Sequence, residues 1–370
     1  MRRRVVITVT CLAVAAVLWA ALKWPGEPRY GGKTLSEWFD ATVKAPDFGL
    51  RQKQWEEAVK HMGTNAVPTL VSWLANEPTF GWHRFFKIQN ALPGSLRRSR
   101  ITLWLGNKAE ANEMKQQFRA AAAESALIGL RKDAKSAIPA LLRMFRNQRS
   151  SSAFRAVNVL AVLSKDSFPA LLQCFSDPQF TNYLGLAQVL GRMQGFSGEE
   201  GAPAVPHLCG FLQRADPALQ QACADALGNL AAAPELAVPC LASALTNAIQ
   251  GSDITLSRKC ADALGRFRSR GSAAVPALCF ALDCPDGITS EEAARTLGKI
   301  GVNSEMAVPA LVAYLKSAGT TGHRKYAIEG LRAYGEAARE AIPLIREALN
   351  DDDHDTRALA QETLLRFIDK

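Results

Sequence analysis

Residues 204–212 read AVPHLCGFL, and residues 274–282 read AVPALCFAL. The same phrase recurs along the chain. Pro68, Pro139, Pro169, Pro206, Pro239, Pro276, Pro309 and Pro343 each follow an apolar residue, with Leu or Ile two places on and Leu or Phe six places on. Successive prolines are 71, 30, 37, 33, 37, 33 and 34 residues apart. A period in the thirties marks a stacked array in which each unit is one supersecondary element that cannot bury its apolar face alone.

Each unit contains two helices. The residues two and six after the proline are four apart, so they share one helix face. The proline suits the first turn, where its missing N–H is not needed. A second apolar helix follows, centred on Leu160, Leu190, Leu227, Leu264, Leu297, Leu331 and Leu364, with small residues beside the leucine that let helices approach closely. Asp177-Pro178 and Asp216-Pro217 are turn signals between the two helices. The expected fold is an all-α solenoid of about eight stacked helical hairpins.

The phrases AVPHLCGFL with ACADALGNL, AVPALCFAL with AARTLGKI, and MAVPALVAYL with its partner helix resemble the HEAT-repeat family, including its bacterial lyase-type HEAT-like members. The resemblance covers roughly residues 55 to 370. The three-helix armadillo unit fits less well, because these units are short for it. The resemblance implies a fold and says little of activity.

The front of the chain is different. Arg2, Arg3 and Arg4 precede Val5–Leu22, 18 residues without a charge. Such a helix would be about 27 Å long, near the thickness of a bilayer's hydrocarbon. Lys23 and Trp24 follow as interfacial residues. Residues 1–23 are therefore expected to be an N-terminal transmembrane anchor or signal segment. The arginines place the array outside the cytoplasm, in the periplasm. Residues 24–34 are expected to be a linker. Its Gly31-Gly32-Lys33-Thr34 lacks the upstream glycine and strand of a phosphate-binding loop. Thr34 and Glu37 instead have capping-box spacing, opening a helix whose Trp38 and Phe39 cap the array. The repeat array itself is expected to span 35–370, with an irregular insertion at about 76–110 where the proline spacing doubles.

Net charge is +9, unevenly spread: residues 1–150 hold 24 Lys+Arg against 11 Asp+Glu, and residues 151–370 hold 20 against 24. The eight cysteines have no zinc or redox spacing and read as small apolar core residues, Cys279 and Cys284 being the near pair to test. The five histidines are scattered. There is no HExxH, no GxSxG and no GxGxxG, and the paired His-Glu motifs with which some HEAT-like enzymes bind two irons are missing. Asp351-Asp352-Asp353-His354-Asp355 lacks the glycine and distal glutamate of a calcium loop and reads as acids complementing a helix N-terminus. No cofactor, metal or enzymatic activity is expected.

Two surface constellations remain. One is a polar ladder two residues before and after the key leucines: Gln188, Arg192, Asp225, Asn229, Asp262, Arg266, Arg295, Lys299 and Glu329, continued by Asn158 and Glu362. The family resemblance implies that second helices line the concave side, so this is the expected groove for a protein partner. Asp262–Arg266 and Glu362–Arg366 are also ordinary i,i+4 pairs. The other is the basic and aromatic segment 80–104, with Trp82, Arg84, Phe85, Lys87, Arg97, Arg98, Arg100 and Trp104. Such a mixture suits phosphates and stacked bases or a membrane interface, or fills the core of a divergent repeat. The reading is a non-enzymatic, membrane-tethered scaffold for protein–protein interaction through its concave surface. The alternatives are a nucleic-acid-binding protein using 80–104, if the array is cytoplasmic, and a lyase-type HEAT-like enzyme.

Overall fold

The computed structural model describes residues 26–43, 48–76, 100–146, 150–196, 198–214, 216–317 and 323–368. They fall into two compact units: one of residues up to 144 together with 149–159, the other of 145–148 and 160–370.

The first unit opens with a small hairpin, β1 (Arg29–Tyr30) and β2 (Lys33–Thr34), where a linker was expected. Gly31 and Gly32 both have positive φ, +55° and +79°, as a tight two-residue turn requires. The helices that follow are α1 (Leu35–Val43), α2 (Phe48–Met62), α3 (Val67–Leu74), α4 (Arg100–Leu130), α5 (Ile138–Phe145) and α6 (Ser151–Val162). The capping box forms: the Thr34 N–H donates to Glu37 Oε2 at 2.7 Å, and the Glu37 N–H donates to Thr34 Oγ1 at 3.2 Å. The backbone hydrogen bond from Thr34 holds the Glu37 carboxyl below its usual range. Phe39 is buried edge-on against Trp55 and Trp73, with the Arg119 guanidinium 4.9 Å from the Trp73 ring. Trp38 stays on the hairpin, donating to the Tyr30 carbonyl at 2.9 Å. Of the expected insertion, residues 77–99 lie outside the described residues, and 100–110 begin α4.

The second unit is a run of helical hairpins. Its first helices are α7 (Ser164–Phe175), α9 (Val205–Arg214), α11 (Pro234–Gln250), α13 (Val275–Ala281), α15 (Ser304–Ser317) and α17 (Ile342–Glu347). Its second helices are α8 (Tyr183–Arg192), α10 (Pro217–Leu230), α12 (Ile254–Arg266), α14 (Ile288–Ile300), α16 (Arg324–Arg332) and α18 (His354–Ile368). Each second helix packs on the next, from α8 to α18.

The apolar code does what its spacing demands. Leu70, Leu141, Leu171, Leu208, Leu241, Leu278, Leu311 and Ile345, two after each proline, are all fully buried. Each contributes about 1.5–3 kcal/mol by leaving water. The position six after the proline holds less strictly. Leu349 is 38% exposed, because α17 ends at Glu347 and the chain tightens into a 3₁₀ turn over Ala348–Asn350, which turns Ala348 inward instead. The proline opens α3, α9, α13 and α17 as expected. In α7, α11 and α15 the helix starts one turn earlier, so Pro169, Pro239 and Pro309 lie inside it. Each of those helices forgoes one internal hydrogen bond.

The expected membrane anchor at residues 5–22, and with it a membrane-tethered periplasmic array, is corrected here. Among the described residues no helix is long and apolar enough to cross a membrane. The 31-residue α4 has the length but carries Lys108, Glu110, Glu113, Lys115, Arg119 and Glu124. Charges at that density are too costly in hydrocarbon. The segment 5–22 lies outside the described residues, and the structure gives no support to a membrane partner.

Candidate functional site

The second-helix face of the second unit carries the expected ladder. Successive second helices approach closely because a glycine follows most of the key leucines. A Cβ placed on Gly228 would lie 2.7 Å from Ala263 Cα, and one on Gly298 would lie 2.9 Å from Gly330 Cα. This packing brings residues one repeat apart within bonding reach.

Most ladder residues find each other. Arg266 donates to Asp262 on its own helix at 3.0 and 3.2 Å and reaches back to Asn229 Oδ1 on α10. Asn229 in turn donates to the Gly191 carbonyl of α8. From α14, Lys299 bonds Asp262 at 3.2 Å and Glu292 at 3.2 Å. Arg295 bonds Glu292 at 2.7 Å and faces Glu329 of α16 at 3.6 Å, its guanidinium 4.9 Å from the Tyr326 ring. Asp225 pairs with Lys259 of α12. Glu362 takes both Arg332, at 3.0 Å, and Arg366, at 3.1 Å. The i,i+4 pairs visible in the sequence therefore form, and a larger set of inter-helix pairs forms around them. At their exposure, each is worth a few tenths to about 1 kcal/mol. Asn158 lies in the first unit and donates to Glu124 at 2.6 Å.

Two clefts open on this face. One, of about 310 Å³, is lined by Gln188, Arg192, Asp225 and Lys259 among others. The other, of about 580 Å³, is lined by Asn229, Asp262, Arg266, Arg268 and Lys299, together with Gly228 and Gly265. Seven of the nine expected groove residues thus line a cleft; Arg295 and Glu329 lie further along the same charge network. Lys259, Glu292 and Arg268 were not singled out in the sequence. Glu292 had a legible signal, three before Arg295 and seven before Lys299 on one helix. Lys259 is 34 residues from Asp225, one repeat on, which only the packing turns into a contact.

Partial burial alone would raise the Asp262 carboxyl. Hydrogen bonds and charge from Arg266, with charge and a bond from Lys299, outweigh that and hold it below its usual range. Its folded value therefore lies below an unfolded value of about 3.9. Its contribution to stability is present above that pH and is lost as pH falls through the folded value. Asp262→Asn is expected to lower the urea midpoint at neutral pH, with the gap from the parent closing as the buffer is taken below the unfolded aspartate value of about 3.9 and through the lower folded one. A gap that is constant with pH would mean that the carboxylate charge contributes nothing.

The acid run before α18 is a cap. Asp353 accepts from the Thr356 N–H at 2.9 Å and the Thr356 hydroxyl at 2.7 Å, and these bonds lower its pKa. Asp351 is buried, faces Arg324 at 3.6 Å and accepts the Asp353 N–H at 3.0 Å. Among the described residues no group of three or more His, Cys, Asp or Glu converges as metal ligands. Cys279 and Cys284 are both free thiols. Cys284 donates to Asp286 Oδ2 at 2.9 Å, and burial pushes the Cys223 thiol up to about 12. Of the basic and aromatic segment, Trp82, Arg84, Phe85, Lys87, Arg97 and Arg98 lie outside the described residues. Arg100 and Trp104 fall in α4.

A family model of the armadillo/beta-catenin-like repeat matches residues 201–232, which hold α9 and α10. One of the PBS lyase HEAT-like repeat matches residues 324–351, which hold α16 and α17. Among solved structures, a variant of Kap121p is similar at 16% identity over 93% of this chain and 42% of its own, with a TM-score of 0.53. The karyopherin Kap121p bound to the SUMO protease Ulp1p is similar at 15% identity over 90% of this chain and 41% of its own, with a TM-score of 0.52. Kap121p bound to Nup53p gives the same identity and coverage with a TM-score of 0.51. The fold is an α-solenoid of HEAT/armadillo type. The chain spans about two fifths of the length of those karyopherin chains, and at such identity the likeness is one of fold. No curated protein matches the chain in sequence.

Proposed function

We propose that this protein is a scaffold that docks a partner protein on the second-helix face of its second unit. The observation that carries the reading is the continuous polar face over α8 to α18, with two clefts lined by the ladder residues. A buried apolar stripe holds each helix in place, and a polar stripe beside it is left for recognition. Helical-repeat arrays offer extended surfaces of this kind. Kap121p, bound to Ulp1p and to Nup53p, is an example of such a use of the fold in another protein.

Photocrosslinking amino acids at Gln188 and Glu329, on the face, and at Leu236 and Met306, exposed on first helices, test the assignment. Discrete adducts to one partner are expected from the first pair only. Adducts confined to Leu236 and Met306 would move the docking surface to the other side of the array.

A further inference from the structure

The second-helix face is not evenly charged. Its two clefts are lined by five cations, Arg192, Lys259, Arg266, Arg268 and Lys299, against two carboxylates, Asp225 and Asp262. The net is +3, and counting Glu292, which shares Lys299, leaves +2. Residues 151–370 as a whole carry 20 Lys+Arg against 24 Asp+Glu. The strip therefore opposes the net charge of the part of the chain that holds it, and composition does not account for it.

The excess is concentrated at the larger cleft. Asp262 is taken up by Arg266 and Lys299 together. The Arg268 side chain has no hydrogen bond or ion pair among the described residues. Arg268 also sits at φ +52°, a left-handed conformation that costs a residue with a side chain about 1 kcal/mol. The equivalent position, eight before the repeat proline, is left-handed in other units too, at Arg131, Ala231, Gly301 and Gly335, with φ of +47°, +44°, +62° and +55°. Glycine thus suffices for the turn, and Arg268 can be replaced without losing it. A guanidinium fork pairs with carboxylates in two parallel hydrogen bonds.

We propose that this strip takes an acidic stretch of a partner polypeptide, whose glutamate or aspartate carboxylates pair with Arg266, Arg268 and Lys299 across the larger cleft. The proposal rests on the reading of the second-helix face as the docking surface.

Fluorescence anisotropy on the full chain, with short labelled peptides of glutamate, of lysine and of glycine-serine, tests it. The glutamate peptide is expected to bind, and to weaken as salt screens the charges; the other two are expected not to bind. Arg268→Gly suits the left-handed turn and keeps the fold, and together with Lys299→Gln it is expected to weaken glutamate-peptide binding by about tenfold or more. Unchanged affinity in that double variant, or preference for the lysine peptide, would overturn the proposal. So would displacement of the glutamate peptide by an equal concentration of a single-stranded oligonucleotide, which would show a general polyanion site. Failure of the peptide while Gln188 and Glu329 still form adducts would sink this inference alone. Loss of those adducts with the peptide still bound would sink the docking face and leave an anion site.

Discussion

Gly330→Val is expected to lower the stability of the second unit by about 3 kcal/mol, seen as an earlier urea transition followed by circular dichroism. A Cβ on Gly330 would lie 2.7 Å from the backbone oxygen of Ala294 on α14, and 3.1 Å from Leu311 Cδ2. The facing Gly298 is equally tight, its added Cβ lying 2.9 Å from Gly330 Cα. Here α14 and α16 touch backbone to backbone. A side chain cannot be absorbed by a rotamer change, so the helices must separate and loosen Leu297, Leu311 and Leu331, all fully buried. The control is Gly129→Ala in α4, where a Cβ meets nothing within 4 Å. There alanine's better helix propensity is expected to raise stability by up to about 1 kcal/mol. Opposite signs at two helical glycines separate packing from propensity; a stabilised Gly330→Val would refute the close crossing.

Asn182→Ala is expected to cost about 2–4 kcal/mol. Asn182 is 4% exposed and uses both ends of its amide. Its Oδ1 accepts the Gly185 N–H at 3.0 Å, capping α8, and its Nδ2 donates to the Phe145 carbonyl at 2.7 Å. Alanine removes a helix cap, worth about 1 kcal/mol. It also leaves a buried carbonyl without a partner, for about 1–3 kcal/mol more. Asn182→Asp keeps the cap and loses the donor, so it divides the two contributions. If Asn182→Asp unfolds with the parent, the Phe145 bond carries no weight, and hydrogen exchange at the start of α8 should then be unchanged as well. Gly185 belongs to the same arrangement: the Asn182 side chain lies 2.7 Å from where its Cβ would be.

Local features were legible in advance because they depend on residues a few places apart. The Thr34–Glu37 box, the buried position two after each proline and the pairs Asp262–Arg266 and Glu362–Arg366 are of this kind. Where a local conformation changes, the pattern slips: the 3₁₀ turn at Ala348 exposes Leu349, and Gly31-Gly32 makes a hairpin of an expected linker. The ladder residues were legible as a row, since each sits two places from its leucine. Their partners were not. Lys299–Asp262, Arg266–Asn229 and Arg295–Glu329 join residues 37, 37 and 34 apart, and which of several charges meet depends on how far one helix slides along the next.

The sequence alone determined the repeat, the helix pair in each unit and the face each helix buries, because the 3.6-residue period and the proline act within a single helix. Only the tertiary structure decided which charges on the second-helix face neutralise each other and which remain. Coulombic contacts reach only a few ångströms at a wet surface, and those distances are set by glycine-mediated crossings such as Gly298 on Gly330. That is why Arg268, whose lack of a partner no spacing rule marks, is the residue left over at the larger cleft.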